Sequence, residues 1–139
     1  MLAKCQEIAL GSHDPKKQVG CYIVRDGQIL VTGTNTLPNK CQLVPDRVQA
    51  PIKYMWMEHA ERNAIYKAAR AGISLEGATL MIDWWPCVEC TRAIIQSGIT
   101  NIVAPEKPNF EHRRWGEHFK ISFQMLDEVG ITYKFLNTD

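Results

Sequence analysis

Residues 19–32 read VGCYIVRDGQILVT, and this stretch decides the fold. Residues 19–25 are β-branched and aromatic, Asp26-Gly27 is a dipeptide suited to a tight two-residue turn, and residues 28–32 resume the apolar run. The pattern predicts two antiparallel strands joined as a hairpin. Upstream, Leu2, Cys5, Ile8 and Ala9 recur at helical spacing across residues 2–10, with Gly11 as a stop. Downstream, residues 34–57 hold Pro38, Pro45 and Pro51 and show no period. A connection that long reads as a substrate-covering or interface loop. Alternation then sets in: a helix over 58–71 ending at Gly72, a strand over 78–83, a helix over 87–97 ending at Gly98, and a strand over 101–104. A helix over 115–129 follows, with Phe119, Phe123, Leu126 and Val129 inward, and a strand over 131–136. Parallel crossovers added to an antiparallel hairpin predict an α/β protein, three-layer α/β/α with a mixed five-stranded sheet.

Composition agrees with a single domain over residues 1–139. The chain has 45% hydrophobic and 22% charged residues, with no internal repeat or low-complexity tract. Sixteen Lys and Arg against fifteen Asp and Glu leave a net charge of +1. That balance argues against a protein that grips a long polyanion or an anionic membrane surface. No apolar run approaches the roughly 18 residues of a membrane span. The opening MLAKCQEIAL is too short and too amphipathic for a secretory signal. A cytoplasmic protein is expected.

Cysteine usage directs attention to chemistry. In a chain of ordinary size without an export signal, the close pair Cys87 and Cys90 reads first as a metal site, and Cys5 and Cys21 as small core hydrophobes. Three residues apart on a helix, Cys87 and Cys90 face one side, and Pro86 suits the helix start. Thiolates there sit at the positive end of the helix dipole, which lowers their pKa. With His59, at the start of the preceding helix, they make three ligands for a tetrahedral zinc, leaving a fourth position for water. Glu61, two residues on, is placed to take a proton from that water and return it to a substrate. Taken singly, C-x-x-C reads equally as two core cysteines and H-x-E as a chance pair. Together, each at a helix start with a strand between, they point to hydrolytic loss of ammonia from an amidine-like carbon.

The arrangement H-A-E at 59–61 and P-C-V-E-C at 86–90 is the signature of zinc-dependent deaminases. The chain resembles the cytidine/deoxycytidylate deaminase superfamily, and within it the deoxycytidylate deaminases. SHDPKKQVG and CYIVRDGQILVTGTN are similar to that family's first hairpin, HAERNAI and WPCVECTRAIIQSGI to its two zinc motifs, and RRWGEHFKISFQMLDEVGI to its last helix. The resemblance implies Zn2+ held by His59, Cys87 and Cys90, with Glu61 as proton shuttle and a zinc-bound hydroxide attacking C4. It implies the Ala60 backbone against the pyrimidine carbonyl and Asn35 against the sugar. The reaction implied is dCMP to dUMP. It also implies a homo-oligomer, with a hexamer as one form, and apolar residues around Trp115 and Phe119 suit subunit contacts. His at position 59 sets the chain apart from small tetrameric nucleoside deaminases, which carry Cys there. Two departures fall on the pocket wall. The run GTNTLP lacks the family's Gly two residues before Pro, and Trp84-Trp85 precede Pro-Cys.

Trp85 suits stacking on a substrate ring, and packing beneath the next helix is its bland alternative. Lys40, Lys53 and Arg62 are candidate phosphate donors or solvated surface charges. His112, Arg113 and Arg114 read as a surface or subunit contact, and Cys41 as an ordinary thiol. Three functional classes compete. The first is a deaminase of a free nucleotide or of another small aminopyrimidine (a base, a nucleoside or a modified pyrimidine). The second is an enzyme editing tRNA or single-stranded DNA, which the neutral charge and the non-basic terminus FLNTD disfavour. The third is a zinc module whose metal only supports folding, which has no use for Glu61.

Overall fold

The computed structural model describes residues 1–137, so Thr138 and Asp139 of the terminal run lie outside the described residues. The elements run α1 (Leu2–Ala9), β1 (Gly20–Arg25), β2 (Gln28–Thr34), a 3-10 turn (Pro45–Val48), α2 (Lys53–Trp56) and α3 (Ala60–Ala71). They continue as β3 (Thr79–Ile82), α4 (Val88–Ser97), β4 (Asn101–Ala104), α5 (Gly116–Val129) and β5 (Thr132–Phe135). Each element expected from the sequence is present, its ends within two residues. The additions are the 3-10 turn and α2, each a single turn too short to show a period.

At the hairpin tip both Asp26 (φ 53°) and Gly27 (φ 77°) are left-handed, which matches the turn to the twist of its strands. The sheet order is β2-β1-β3-β4-β5. β1 pairs antiparallel with β2 and β3, while β3-β4 and β4-β5 are parallel, so the sheet is mixed as expected. Register aligns Ile23 with Leu80 and Leu80 with Ile102, all fully buried.

The hairpin is held between helices by two glycines that face opposite ways. A Cβ at Gly20 would strike the Cys5 carbonyl and approach Ala9 N at 2.8 Å, so α1 lies directly on that face. A Cβ at Gly33 would strike the Ala60 carbonyl and reach Ala64 N and Cβ at 2.9 Å, so α3 lies on the other. Ala60, Ala64 and Ala68 form the buried, small-residue face of α3 that permits this approach. Right-handed crossovers place α4 and α5 together, α4 packing on both α3 and α5. The layers are therefore α1, the sheet, and α3-α4-α5.

Two expectations of burial change. Val129 is 53% exposed at the solvent end of α5, whereas Phe119 (1%) and Leu126 (0%) enter the core as expected. Phe119 is thus not a subunit contact. The exposed apolar side chains gather instead at Ile52, Tyr54, Met55 and Trp56, in and beside α2. Among the described residues no helix is long and apolar enough to cross a membrane.

Candidate active site

The site is built on two helix starts. His59 is the N-cap of α3 and Cys87 the N-cap of α4, both with extended backbone. The turn into α3 is pinned to the end of β2. Thr36 and Glu58 exchange backbone hydrogen bonds, and Asn63 Nδ2 donates to Thr34 O (2.7 Å) and Thr36 Oγ1 (3.0 Å). Arg62 on α3 pairs with Glu58 and, at 3.0 Å, with Glu89 on α4, tying the two starts together.

His59 Nδ1 lies 3.5 Å from Cys87 Sγ and 3.4 Å from Cys90 Sγ. A tetrahedral zinc with Zn–S of about 2.3 Å and Zn–N of about 2.0–2.1 Å separates such atoms by about 3.6 Å. The donor set fits that edge length. Its charges fit as well. The Cys90 thiol and His59 hydrogen-bond Cys87 and pull its pKa down to about 3, making it the thiolate. Burial pushes Cys90 well up. Burial also opposes the His59 imidazolium, but the Cys87 hydrogen bond and the Glu61 and Cys87 charges outweigh it and raise His59. A divalent cation bound here would displace the protons that these crowded donors hold. Among the described residues this is the one cluster of metal donors, and Cys41, exposed in its loop, is not part of it.

Glu61 is 3% exposed in the first turn of α3, and burial pushes its pKa from 4.5 up to about 7. His59, Ala60, Glu61 and Cys87 line a cavity of about 350 Å³, in the range of small-molecule sites. Asn35 and Val19, at the near end of the hairpin, line it too. The Asn35 amide is put to structural use: Oδ1 accepts from Val19 N (3.0 Å) and Nδ2 donates to Lys17 O (2.8 Å).

Trp85 lines the cavity, and its ring is also anchored in the core. It is 3% exposed, stacked on Phe123 at 4.6 Å and 8°, edge-on to Tyr133, and its Nε1 donates to Ser122 Oγ at 3.1 Å. These contacts are the packing beneath the next helix, and Trp84 lines the cavity beside it. Lys17 Nζ sits 3.4 Å above the Trp84 ring, and His112 meets its edge.

The cavity's cations also differ from those expected. Lys53 lines it but is paired to Asp14 at 2.7 Å. Arg62 is spent between two glutamates, and Lys40 lies outside the cavity. Lys17 and Arg114 remain, the latter 3.3 Å over the Tyr54 ring, and neither forms an ion pair among the described residues. Arg114 was expected at a surface contact. Only its closeness to Trp115, at the start of the predicted last helix, hinted otherwise.

Comparison with known proteins agrees with this geometry. Residues 1–106 match the family model for the cytidine and deoxycytidylate deaminase zinc-binding region. An uncharacterized deaminase from the luxG 3' region of Aliivibrio fischeri is 35% identical over 92% of this chain and 85% of its own. The deoxycytidylate deaminase of Saccharomyces cerevisiae is 30% identical over 86% of this chain, which spans 38% of that enzyme. The dCMP deaminase of cyanophage S-TIM5, solved with dCMP and dUMP, superposes with a TM-score of 0.76 over 96% of this chain and 92% of its own. At 23% identity it shares the fold. The chain belongs to the cytidine and deoxycytidylate deaminase family of zinc-dependent hydrolases.

Proposed function

We propose that the chain deaminates a free cytosine nucleotide, converting dCMP to dUMP and ammonia, with His59, Cys87 and Cys90 as zinc ligands and Glu61 as proton carrier. The observation that carries this reading is a cluster of three metal donors, two of which, His59 and Cys87, line one cavity with the buried carboxyl of Glu61, whose pKa is raised to about 7. Zinc, when bound at such a site, supplies a Lewis acid and brings the pKa of a water to about 7. Glu61 takes one proton from water on a carboxylate oxygen and delivers it to pyrimidine N3, then takes the second proton from the new C4 hydroxyl and delivers it to the departing amino group. A C4–O bond forms, the C4–N bond breaks, and water in is balanced by ammonia out. Ala60, the first residue of α3, carries a backbone N–H with no partner inside the helix, suited to donate to the pyrimidine carbonyl. Asn35 keeps a second amide N–H for a sugar hydroxyl.

Lys17 and Arg114 favour a nucleotide over a nucleoside, since two unpaired cations on a cavity wall suit a phosphate. A small-molecule substrate also accords with the near-neutral chain. The whole of residues 1–139 acts as one deaminase domain in the cytoplasm, a reducing compartment that suits five free thiols. Exposed Tyr54, Met55 and Trp56 support a homo-oligomer, which light scattering tests.

The deciding experiment is ammonia release from dCMP, CMP, deoxycytidine, cytidine and cytosine. Turnover of dCMP is expected. Lys17→Met and Arg114→Met should each raise KM for dCMP about tenfold or more while sparing the weaker deoxycytidine reaction. Activity on cytidine or cytosine without activity on dCMP overturns the nucleotide assignment.

A further inference from the structure

A buried chain of hydrogen bonds runs from Trp85, on the cavity wall, to the backbone of Cys87. Trp85 Nε1 meets Ser122 Oγ at 3.1 Å, Ser122 Oγ meets Thr91 Oγ1 at 2.7 Å, and Thr91 Oγ1 meets the Cys87 carbonyl at 2.7 Å. Ser122 and Thr91 are 0% exposed, Trp85 3% and Cys87 6%. Valence fixes the direction of every proton. An indole N–H can only donate and a carbonyl can only accept, while each hydroxyl has one hydrogen to give. Thr91 gives its hydrogen to Cys87 O, so Ser122 must give its own to Thr91 and accept from Trp85. The relay has one polarity and no alternative arrangement. In a low-dielectric interior such a chain strengthens itself, and a broken link strands a buried donor.

The relay also closes on itself through the backbone. Trp85 and Cys87 flank Pro86, so both ends of the three-residue turn into α4 are tied to the same pair of hydroxyls. One hydroxyl belongs to α4 and the other to α5. The N–H of Val88, next along the chain, donates to His118 Nδ1, a second tie to α5.

We propose that Trp85, Ser122 and Thr91 are positioning residues for the metal, fixing the N-cap geometry of Cys87 and thereby its thiolate against His59 and Cys90. Thr91 and Ser122 lie outside the cavity lining, and Trp85 is the one member of the relay that reaches the cavity wall. The inference rests on the three zinc ligands assigned above and is independent of which aminopyrimidine is deaminated.

Zinc affinity of the full chain, measured at 25 °C by competition with a chromophoric chelator beside thermal melts, tests it. Thr91→Val keeps the side-chain shape, strands the Ser122 hydroxyl, and should weaken zinc binding about tenfold. Ser122→Ala should do the same from α5, and reads the relay if the valine variant does not fold. Thr91→Ser retains the hydroxyl and should bind like the wild type. Ile23→Val, a buried core trim on β1 outside the relay, should lower the melting temperature without changing zinc affinity. Folded Thr91→Val or Ser122→Ala protein with wild-type zinc affinity overturns the proposal. So does Thr91→Ser weakening zinc as much as valine, or Ile23→Val weakening it equally. A wild-type chain that takes up no zinc overturns the ligand assignment and the relay with it, an outcome separate from loss in the variants alone.

Discussion

Replacing Gly33 by alanine tests how the sheet places α3, the helix that starts at the proposed zinc ligand His59. The added methyl would collide with the Ala60 carbonyl and sit 2.9 Å from both the nitrogen and Cβ of Ala64. All three atoms belong to α3, and two are its rigid backbone, so no side chain can rotate away. Restoring ordinary contact requires α3 to retreat by roughly 0.5–1 Å, and overpacking of this kind costs about 1–3 kcal/mol. For a chain of 139 residues the unfolding entropy is about 0.3 kcal/mol/K, so the melting temperature should fall by about 3–10 °C. His59 caps the same turn, and its separations of 3.4 and 3.5 Å from the sulfurs leave a tolerance of about 0.2 Å in each metal bond. The deaminase rate should therefore drop about a hundredfold, with weaker zinc retention. Gly11→Ala is the control. Its new methyl would meet the nearest atoms at 3.5 and 3.6 Å, ordinary contact, and should shift the melt by no more than about 2 °C. Circular-dichroism melts, chelator competition and ammonia release read the outcome. A Gly33→Ala protein with unchanged melting temperature and zinc affinity would show that α3 is not seated on β2 as described.

Two other outcomes are expected. Glu61→Gln should keep one zinc per chain by elemental analysis and lose activity by a factor of about 10²–10⁴, because the amide cannot carry the proton; retained activity would remove Glu61 from the mechanism. Asp14, 4% exposed, is pushed up by burial, but the Lys53 ammonium and the N–H groups of Lys16 and Lys17 outweigh this and hold its pKa below the usual value. A depressed carboxyl pKa contributes stability that is fully present above the unfolded value of about 3.9 and fades as pH falls through the folded one. The stability gap between wild type and Asp14→Asn should thus be constant from neutrality to about pH 5 and shrink below about pH 4; a gap that widens in acid contradicts the pairing.

The features legible in the sequence were those set by local signals. Asp26-Gly27 fixed the hairpin because its backbone demands left-handed residues, and Gly72, Gly98 and Gly130 ended three helices for the same reason. His59, Cys87 and Cys90 were readable because each lies at or just inside a helix start, where spacing alone determines facing. The Trp84-Trp85 pair was not. Both line the cavity, and only the packing of Phe123, Tyr133 and Phe135 shows that Trp85 is also anchored in the core. Lys17, Tyr54, His112 and Arg114 come from three segments far apart in sequence that meet only around the cavity. Thr91 and Ser122 resemble any small polar residue on a helix until the neighbouring helix supplies the second hydroxyl.

The hairpin gives the molecule a near end and a far end. Val19 and Asn35 border the cavity, while the Asp26-Gly27 bend stands seven or eight residues away, about 25 Å along the strands. Nothing lies within 4 Å of where a side chain at Gly27 would begin. That bend is accordingly a natural place to graft a fluorophore or an affinity handle, reporting on the folded enzyme without trespassing on its chemistry.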